Sequence, residues 1–157
     1  MKYIRFCLYA LLATLVILLD RLSKGWALRH AHDLVINDYL SFGLTFNRGI
    51  NWGILNSQNS LLFIAINIGI AAVVACLFWY TIHCYRQGHS LIPHVLILAG
   101  ACSNYFDRIA YGGVIDFIVL SWHTLSWPAF NVADCAIVLG IGLLFLHMWS
   151  VDQQNLN

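Results

Sequence analysis

Long apolar stretches separated by short polar segments dominate the chain. A spanning helix needs about 20 predominantly apolar residues. Residues 61–82 meet that with no charged side chain, and residues 128–149 meet it with one, Asp134. Residues 91–109 are apolar as far as Phe106 apart from His94 and Asn104, and reach spanning length by carrying Asp107 and Arg108 near the far end. The run that begins at Phe6 is short, and becomes a span over 6–28 only by continuing past Asp20 and Lys24. Lys2 and Arg5 ahead of it imitate a secretory leader, yet no small-residue cleavage site follows, so a retained first helix is expected. The pattern predicts an integral membrane, mainly α fold with four transmembrane helices, in a single membrane-embedded domain over 1–157.

Two longer polar segments lie between the spans, at about 29–60 and 110–127. The first contains Leu40-Ser41-Phe42-Gly43-Leu44-Thr45-Phe46, whose period of two reads as a strand. Gly43, Gly49 and Gly53 interrupt what surrounds it, and a small β-rich subdomain between helices 1 and 2 is expected. The second holds Gly112-Gly113 and a strand-like piece over 114–120. Four spans put both termini and the short 84–90 connection on one side, and both long loops with every charged span end on the other. Lys2, Arg5 and Arg86 fall on the first side, while Arg21, Lys24, Arg29, Arg48 and Arg108 fall on or near the second. The positive-inside rule read on raw numbers would therefore make the loop side cytoplasmic. We discount it, because several of these cations are placed to be bound into a site.

Composition agrees with a bilayer setting: 61% of residues are hydrophobic and 10% charged, against about 25% charged in soluble domains. Eight Lys and Arg against seven Asp leave no basic footprint for nucleic acid. The five Cys are scattered without CxxC pairing and read as small hydrophobes. Seven His offer no HExxH partner and no i, i+4 pair within a span, so neither metal nor haem is expected. Trp26, Trp79, Trp122, Trp127 and Trp149 near span ends suit an aromatic belt, and Gly69, Gly140 and Gly142 suit close helix contacts.

A charge at membrane depth costs at least about 2.5–3.5 kcal/mol, so each one needs a reason. Asp20 and Lys24 are spaced i, i+4, as are Asn104 and Arg108, and Asn131 and Asp134 are i, i+3; each pair shares a helix face. The bland alternative for the first pair, and for Asp107 with Arg108, is interfacial snorkelling at a helix end. Asp134 is harder to dismiss. With Pro128 read as a helix start it lies six residues, roughly 9 Å, inside the fourth span. No cation shares its helix, and the acid nearest along the chain is Asp116. Two close carboxylates cannot both ionise; one then takes a proton from water while the other polarises a carbonyl. Unrelated loop and helix acids remain the plain alternative from spacing alone.

Five segments occur in the order and spacing of a known family. They are Asp20-Arg21-Leu22-Ser23-Lys24, Phe46-Asn47-Arg48-Gly49, Gly100-Ala101-Cys102-Ser103-Asn104-Tyr105-Phe106-Asp107-Arg108, Gly113-Val114-Ile115-Asp116-Phe117 and Trp127-Pro128-Ala129-Phe130-Asn131-Val132-Ala133-Asp134. Over nearly the whole chain the sequence resembles lipoprotein signal peptidase (signal peptidase II). The resemblance implies a bacterial inner-membrane aspartic endopeptidase that removes the signal peptide of a prolipoprotein just before a lipid-modified Cys. It also implies cytoplasmic termini, an extracytoplasmic β-rich loop cradling the substrate, and a site facing the outer side.

By the same resemblance Asp116 and Asp134 match the catalytic pair. Asn47, Gly49, Asn104, Arg108, Asn131 and Ala133 match residues lining the substrate site, and Asp20 with Lys24 the first-span motif. Gly100 and Asp107 take supporting places, Asp107 as a cap for Arg48 or Arg108, and Arg108 as an orienting group. The partners implied are diacylglyceryl-modified prolipoproteins and membrane lipid, for a monomer without cofactors. Departures are Ser23 for the usual Thr, Ala99 for a frequent Gly, and Ile50-Asn51-Trp52-Gly53 for small-small-Phe-Gly. Ile50 and Asn51 point to a substrate pocket of altered shape. A proton-coupled transporter would also use intramembrane Asp, but the polar residues gather at one membrane face and no inverted repeat is visible. A helix-binding subunit without activity would leave the Asp pair unexplained.

Overall fold

The computed structural model describes residues 2–49 and 60–155. Four helices carry the apolar stretches: α1 (Lys2–His30), α2 (Ser60–Arg86), α3 (Ile92–Tyr111) and α4 (Val132–Asn155). Strands β1 (Leu34–Asn37) and β2 (Leu40–Asn47) follow α1, and β3 (Val114–Trp122) with β4 (Leu125–Ser126) follow α3. Among the described residues α1, α2 and α4 are long and apolar enough to cross a membrane. α3 falls short of that measure because His94, Asn104, Asp107 and Arg108 dilute it.

α3 is instead the helix the others pack around. It contacts α1, α2 and α4 and holds eight buried residues, more than any other element. The outer helices turn apolar surface away from the protein: Ile64, Ile68, Val73, Phe78 and Trp79 of α2 are exposed, as are Val138, Ile141, Phe145 and Leu146 of α4. Of α2's described side chains only Cys84 is buried. Surface of this extent belongs against hydrocarbon, and the protein is a multi-pass membrane protein.

Helix directions place the polar residues at one end. The Leu91 N–H, at the start of α3, donates to the Tyr9 hydroxyl at 3.2 Å, while Lys24 near the end of α1 meets Asn104 near the end of α3. α1 and α3 therefore run parallel. α4 runs back along α3 in very close contact. A Cβ on Gly140 would lie 2.7 Å from the Pro93 carbonyl oxygen, and one on Gly100 only 2.5 Å from that of Ala133. Gly69 and Gly142 have nothing within 4 Å of a Cβ, so the expectation of close helix contacts fails for them.

Gly112, at φ 69°, ends α3 with a left-handed cap and turns the chain into β3. The four strands form one antiparallel sheet in the order β1-β2-β3-β4. Asn47 stands opposite Val114, and Thr45 opposite Asp116. The sheet is thus not confined to the segment between helices 1 and 2, as the sequence pattern suggests; half its strands come from the segment before α4. Phe117 of β3 joins Ala27 and Ala31 in a buried cluster with Phe42 packed against it, tying the sheet to the end of α1. Trp26 stacks edge-on against Phe42 and Phe117, so it serves this junction as much as any aromatic belt.

α4 also differs from expectation. It starts at Val132, four residues after Pro128, because Phe130 bridges Ile118 and holds the intervening chain extended. Asp134 consequently lies in the first turn of the helix and not six residues inside it.

Candidate active site

Asn131 organises the start of α4. The Asp134 N–H donates to Asn131 Oδ1 at 2.9 Å, and the Asn131 N–H donates to Asp134 Oδ2 at 3.1 Å. This reciprocal pair is a capping box, which satisfies two amides that a helix start leaves open and fixes the Asp134 carboxylate. The Asp134 Oδ1 accepts from Asn104 Nδ2 of α3 at 2.8 Å.

Asp116 arrives from β3. Its Oδ1 accepts from Asn131 Nδ2 at 2.7 Å and its Oδ2 from Asn47 Nδ2 of β2 at 3.0 Å. Asn47 is held in turn, because its Oδ1 accepts the Gly49 N–H at 3.2 Å. One residue, Asn131, therefore holds both carboxyls, Asp116's through its side chain and Asp134's through its backbone N–H, and the two carboxyls line the same cavities. Burial pushes the Asp116 carboxyl up to about 6; Asp134's charge adds to that, while the amides of Asn47 and Asn131 pull the other way.

Behind the pair lies a buried ionic quartet. Lys24 Nζ sits 2.7 Å from Asp20 Oδ2 and 2.7 Å from Asp107 Oδ2. Arg21 reaches the same two acids, at 2.9 Å and 2.6 Å. Asp20, Lys24 and Asp107 are fully or almost fully buried, a state that charges tolerate only when paired. The quartet is joined to the pair in two ways. Lys24 donates to Asn104 Oδ1 at 2.8 Å, beside a donation from Asn131 Nδ2 at 3.1 Å, and together they turn the Asn104 amide nitrogen toward Asp134. Asp20 Oδ1 accepts the Ala133 N–H at 2.9 Å, capping another open amide of α4 and placing negative charge at the helix N-terminus.

Two cavities open on either side of the acids, and both are lined by Asn47, Asp116 and Asp134. The larger, about 740 Å³, has mostly apolar walls from Leu120, Trp127, Phe130, Val138 and Leu139 and leads to the exposed face of α4. The smaller, about 210 Å³, is lined by Asn104, Tyr105 and Arg108 with Ile70 and Ile137. Among the described residues no group of three or more His, Cys, Asp or Glu is placed to hold a metal ion. Two carboxyls, a polar recess and an apolar cleft suit hydrolysis of a bond in an amphiphilic substrate.

Comparison with known proteins decides which family builds this arrangement. The family model described as "Signal peptidase (SPase) II" matches residues 12–150. The chain belongs to the signal peptidase II family. It is 36% identical to a lipoprotein signal peptidase of Syntrophotalea carbinolica, with 95% of each chain covered. It is 36% identical to one from Dichelobacter nodosus (88% of this chain, 91% of the relative), and 33% identical to one from Xanthomonas axonopodis pv. citri (94% and 90%). Two solved bacterial membrane enzymes share the fold. One superposes with a TM-score of 0.74 at 24% identity over 94% of this chain and 90% of the other, the second with 0.70 at 23% over 89% and 91%. Family membership makes the protein a membrane peptidase acting on signal peptides, and leaves the transporter reading without support.

Within this signal peptidase II chain, the structure brings most of the residues singled out from sequence into one place. Asp116, Asp134, Asn47, Asn104 and Arg108 reach the cavities, Arg108 also donating to the Arg48 carbonyl at 3.4 Å. Asn131 and Ala133, expected among the residues lining the substrate site, are fully buried and are not among the residues that line the two cavities. Gly49 contributes its N–H to Asn47. The sequence led us to expect Asp107 as a cap for Arg48 or Arg108; it instead pairs with Lys24 and Arg21, and takes the Ile115 N–H at 3.4 Å. Ile50 and Asn51 lie outside the described residues, as does Gly53. Sequence reasoning missed Arg21 and Ser103, whose hydroxyl donates to Asp20 Oδ2 at 2.6 Å. The available signal was their position: Arg21 adjoins Asp20, and Ser103 precedes Asn104.

Proposed function

We propose that the protein is an aspartic endopeptidase that removes signal peptides from prolipoproteins before a lipid-modified Cys, with Asp116 and Asp134 as its catalytic residues. The observation that carries this reading is the Asn131 bridge: it holds a buried carboxyl, Asp116, and a half-buried one, Asp134, on one space with a polar recess and an apolar cleft. Near neutral pH the pair shares one proton. Its ionised member takes a proton from water as that water attacks the scissile carbonyl, and its protonated member donates to the carbonyl oxygen. The tetrahedral intermediate collapses when the leaving amine receives a proton from the pair. Asn47, Gly49 and Arg108 hold the substrate backbone, and the apolar cleft beside α4 leads the lipid-bearing side toward hydrocarbon. The test is cleavage of a lipidated model prolipopeptide by purified protein in detergent with EDTA present. Full cleavage is expected; loss of activity that zinc restores would overturn the aspartic reading.

The reading includes four membrane crossings in the bacterial inner membrane, α3 being a span as well as α1, α2 and α4 and sheltered by them. Both termini are cytoplasmic and the site faces the outer side. In support, α1, α2 and α4 each pass the length and apolarity a span needs, and two of the site-side cations, Arg21 and Lys24, are committed to buried acids. Bound cations of this kind carry less weight in setting orientation than free loop Lys and Arg. A reporter fused after Asn157 is expected to behave as cytoplasmic, and one inserted beside Asp33 as exported; the reverse pattern would invert the topology.

A further inference from the structure

The quartet behind the aspartate pair balances two acids against two cations, and the cations are unequal. Lys24 is almost wholly enclosed and has three oxygen partners. Arg21 is outermost, with its side chain 26% exposed, its guanidinium 5.2 Å over the Phe106 ring, and its Nε without a partner. It is nonetheless the group that makes the count neutral: without it, Asp20 and Asp107 would face Lys24 alone. It also donates to the Ser103 carbonyl at 3.3 Å, next to Asn104.

We propose that Arg21 is a positioning residue for the reaction: by neutralising the second carboxylate of the quartet it leaves Lys24 free to hold Asn104 and sets the charge felt by the aspartate pair. The inference rests on the aspartic reading of the site. Its physical basis is that Lys24 divides its three donors among Asp20, Asp107 and Asn104 Oδ1. With a surplus negative charge behind it, Lys24 is drawn toward the acids. Asn104 Oδ1 then keeps only its longer bond from Asn131 Nδ2, at 3.1 Å, and its amide nitrogen is held less firmly toward Asp134. The surplus charge also opposes ionisation of the pair across a poorly solvated interior.

The charged and titratable groups facing the pair are few enough to make this readable. They are Asp20, Arg21 and Lys24 from α1, and Tyr105, Asp107 and Arg108 from α3. Arg48 follows β2, Cys135 adjoins Asp134 on α4, and Ile70 of α2 brings no charge. Of these, Arg21 alone both bonds two of the acids and is partly exposed, and Arg21→Lys, which keeps the charge, separates the effect of charge from that of lost packing against Phe106.

The experiment compares kcat/KM for a lipidated model prolipopeptide from about pH 5 to about pH 9. The proteins are the purified wild type, Arg21→Gln, Arg21→Lys and the double variant Arg21→Gln with Asp107→Asn, each with its Tm in detergent. The acid limb of Arg21→Gln is expected to move up by about one pH unit, a loss of about tenfold at the acid end that shrinks as pH rises. Arg21→Lys should return the profile toward wild type. The double variant, neutral again with an oxygen still offered to Lys24, should return it too. An Arg21→Gln profile that superimposes on wild type would overturn the proposal. So would a loss equal at every pH, or a double variant shifted as far as the single one. If wild type itself shows no acid limb, or Asp116→Asn cleaves normally, the aspartate pair fails and this inference falls with it.

Discussion

Asp116→Asn and Asp134→Asn are each expected to lower kcat by at least about 10³-fold while the protein stays folded and inserted. Each change keeps shape and removes the capacity to carry a proton between water, carbonyl and leaving amine. Groups acting as a unit lose nearly all their catalysis when one fails. For Asp116 the structure also supplies a check that the loss is chemical. Its carboxyl sits at about 6 when folded against 3.8 as the ordinary value. A raised carboxyl makes ionisation cost more in the native state than in the unfolded one. Wild-type stability should therefore decline as pH rises through that interval, and the Asn variant should not show the decline. By pH 8 the variant gains about 2 kcal/mol relative to its standing at pH 4. Some of its absolute stability is lost because its amide nitrogen meets the amide of Asn47 or Asn131. Thermal unfolding in detergent at the two pH values measures the gain. Near-normal turnover by either purified variant would remove the pair from the mechanism.

What the sequence made legible depended on how local the cause was. The apolar runs fix α1 and α2 because a helix in lipid needs only its own backbone bonds and an apolar surface. β2 announces itself by its period of two, but β1 does not: Leu34-Val35-Ile36-Asn37 is four residues long and exposed throughout, so no alternation marks it. The sheet's true composition was out of reach for a related reason. Pairing of Thr45 with Asp116 joins residues far apart in the chain, and nothing within either segment names the partner. The start of α4 was misread because Pro128 is a permissible first residue of a helix. What delays the helix to Val132 is the bridge between Phe130 and Ile118 together with the Asn131–Asp134 box.

The site was legible as a set of misplaced polar residues and not as a geometry. Spacing puts Asp20 with Lys24 and Asn131 with Asp134. It cannot say that Asp107 turns to Lys24 and Arg21 instead of Arg48, because that choice is made where α1 and α3 meet. Nor does it show that Asn131 is the hinge between two acids on different elements. That Asp116 and Asp134 were singled out at all followed from cost: ionisable groups at membrane depth need partners, and few were on offer.

Gly100→Ala should cost about 100-fold in kcat/KM, although the residue touches no substrate. Its added Cβ would meet the Ala133 carbonyl oxygen at 2.5 Å and Ile137 Cγ1 at 2.8 Å, where α3 and α4 are in contact. The first of these is backbone and cannot swing aside, so α4 has to move at its first turn. That turn carries the Ala133 N–H bound to Asp20 and the capping box that aims Asp134. Overpacking of this kind destabilises by about 1–3 kcal/mol, and a displacement near 1 Å at reacting groups is worth about 100-fold in rate. Gly69→Ala is the control. Nothing lies within 4 Å of its Cβ on α2, and Ala in a helix is favoured over Gly, so rate and Tm should hold or rise slightly. Turnover and Tm of both purified variants decide the matter. Gly100→Ala cleaving at the wild-type rate would show that α4 can yield without moving Asp134, and that the close contact serves stability alone.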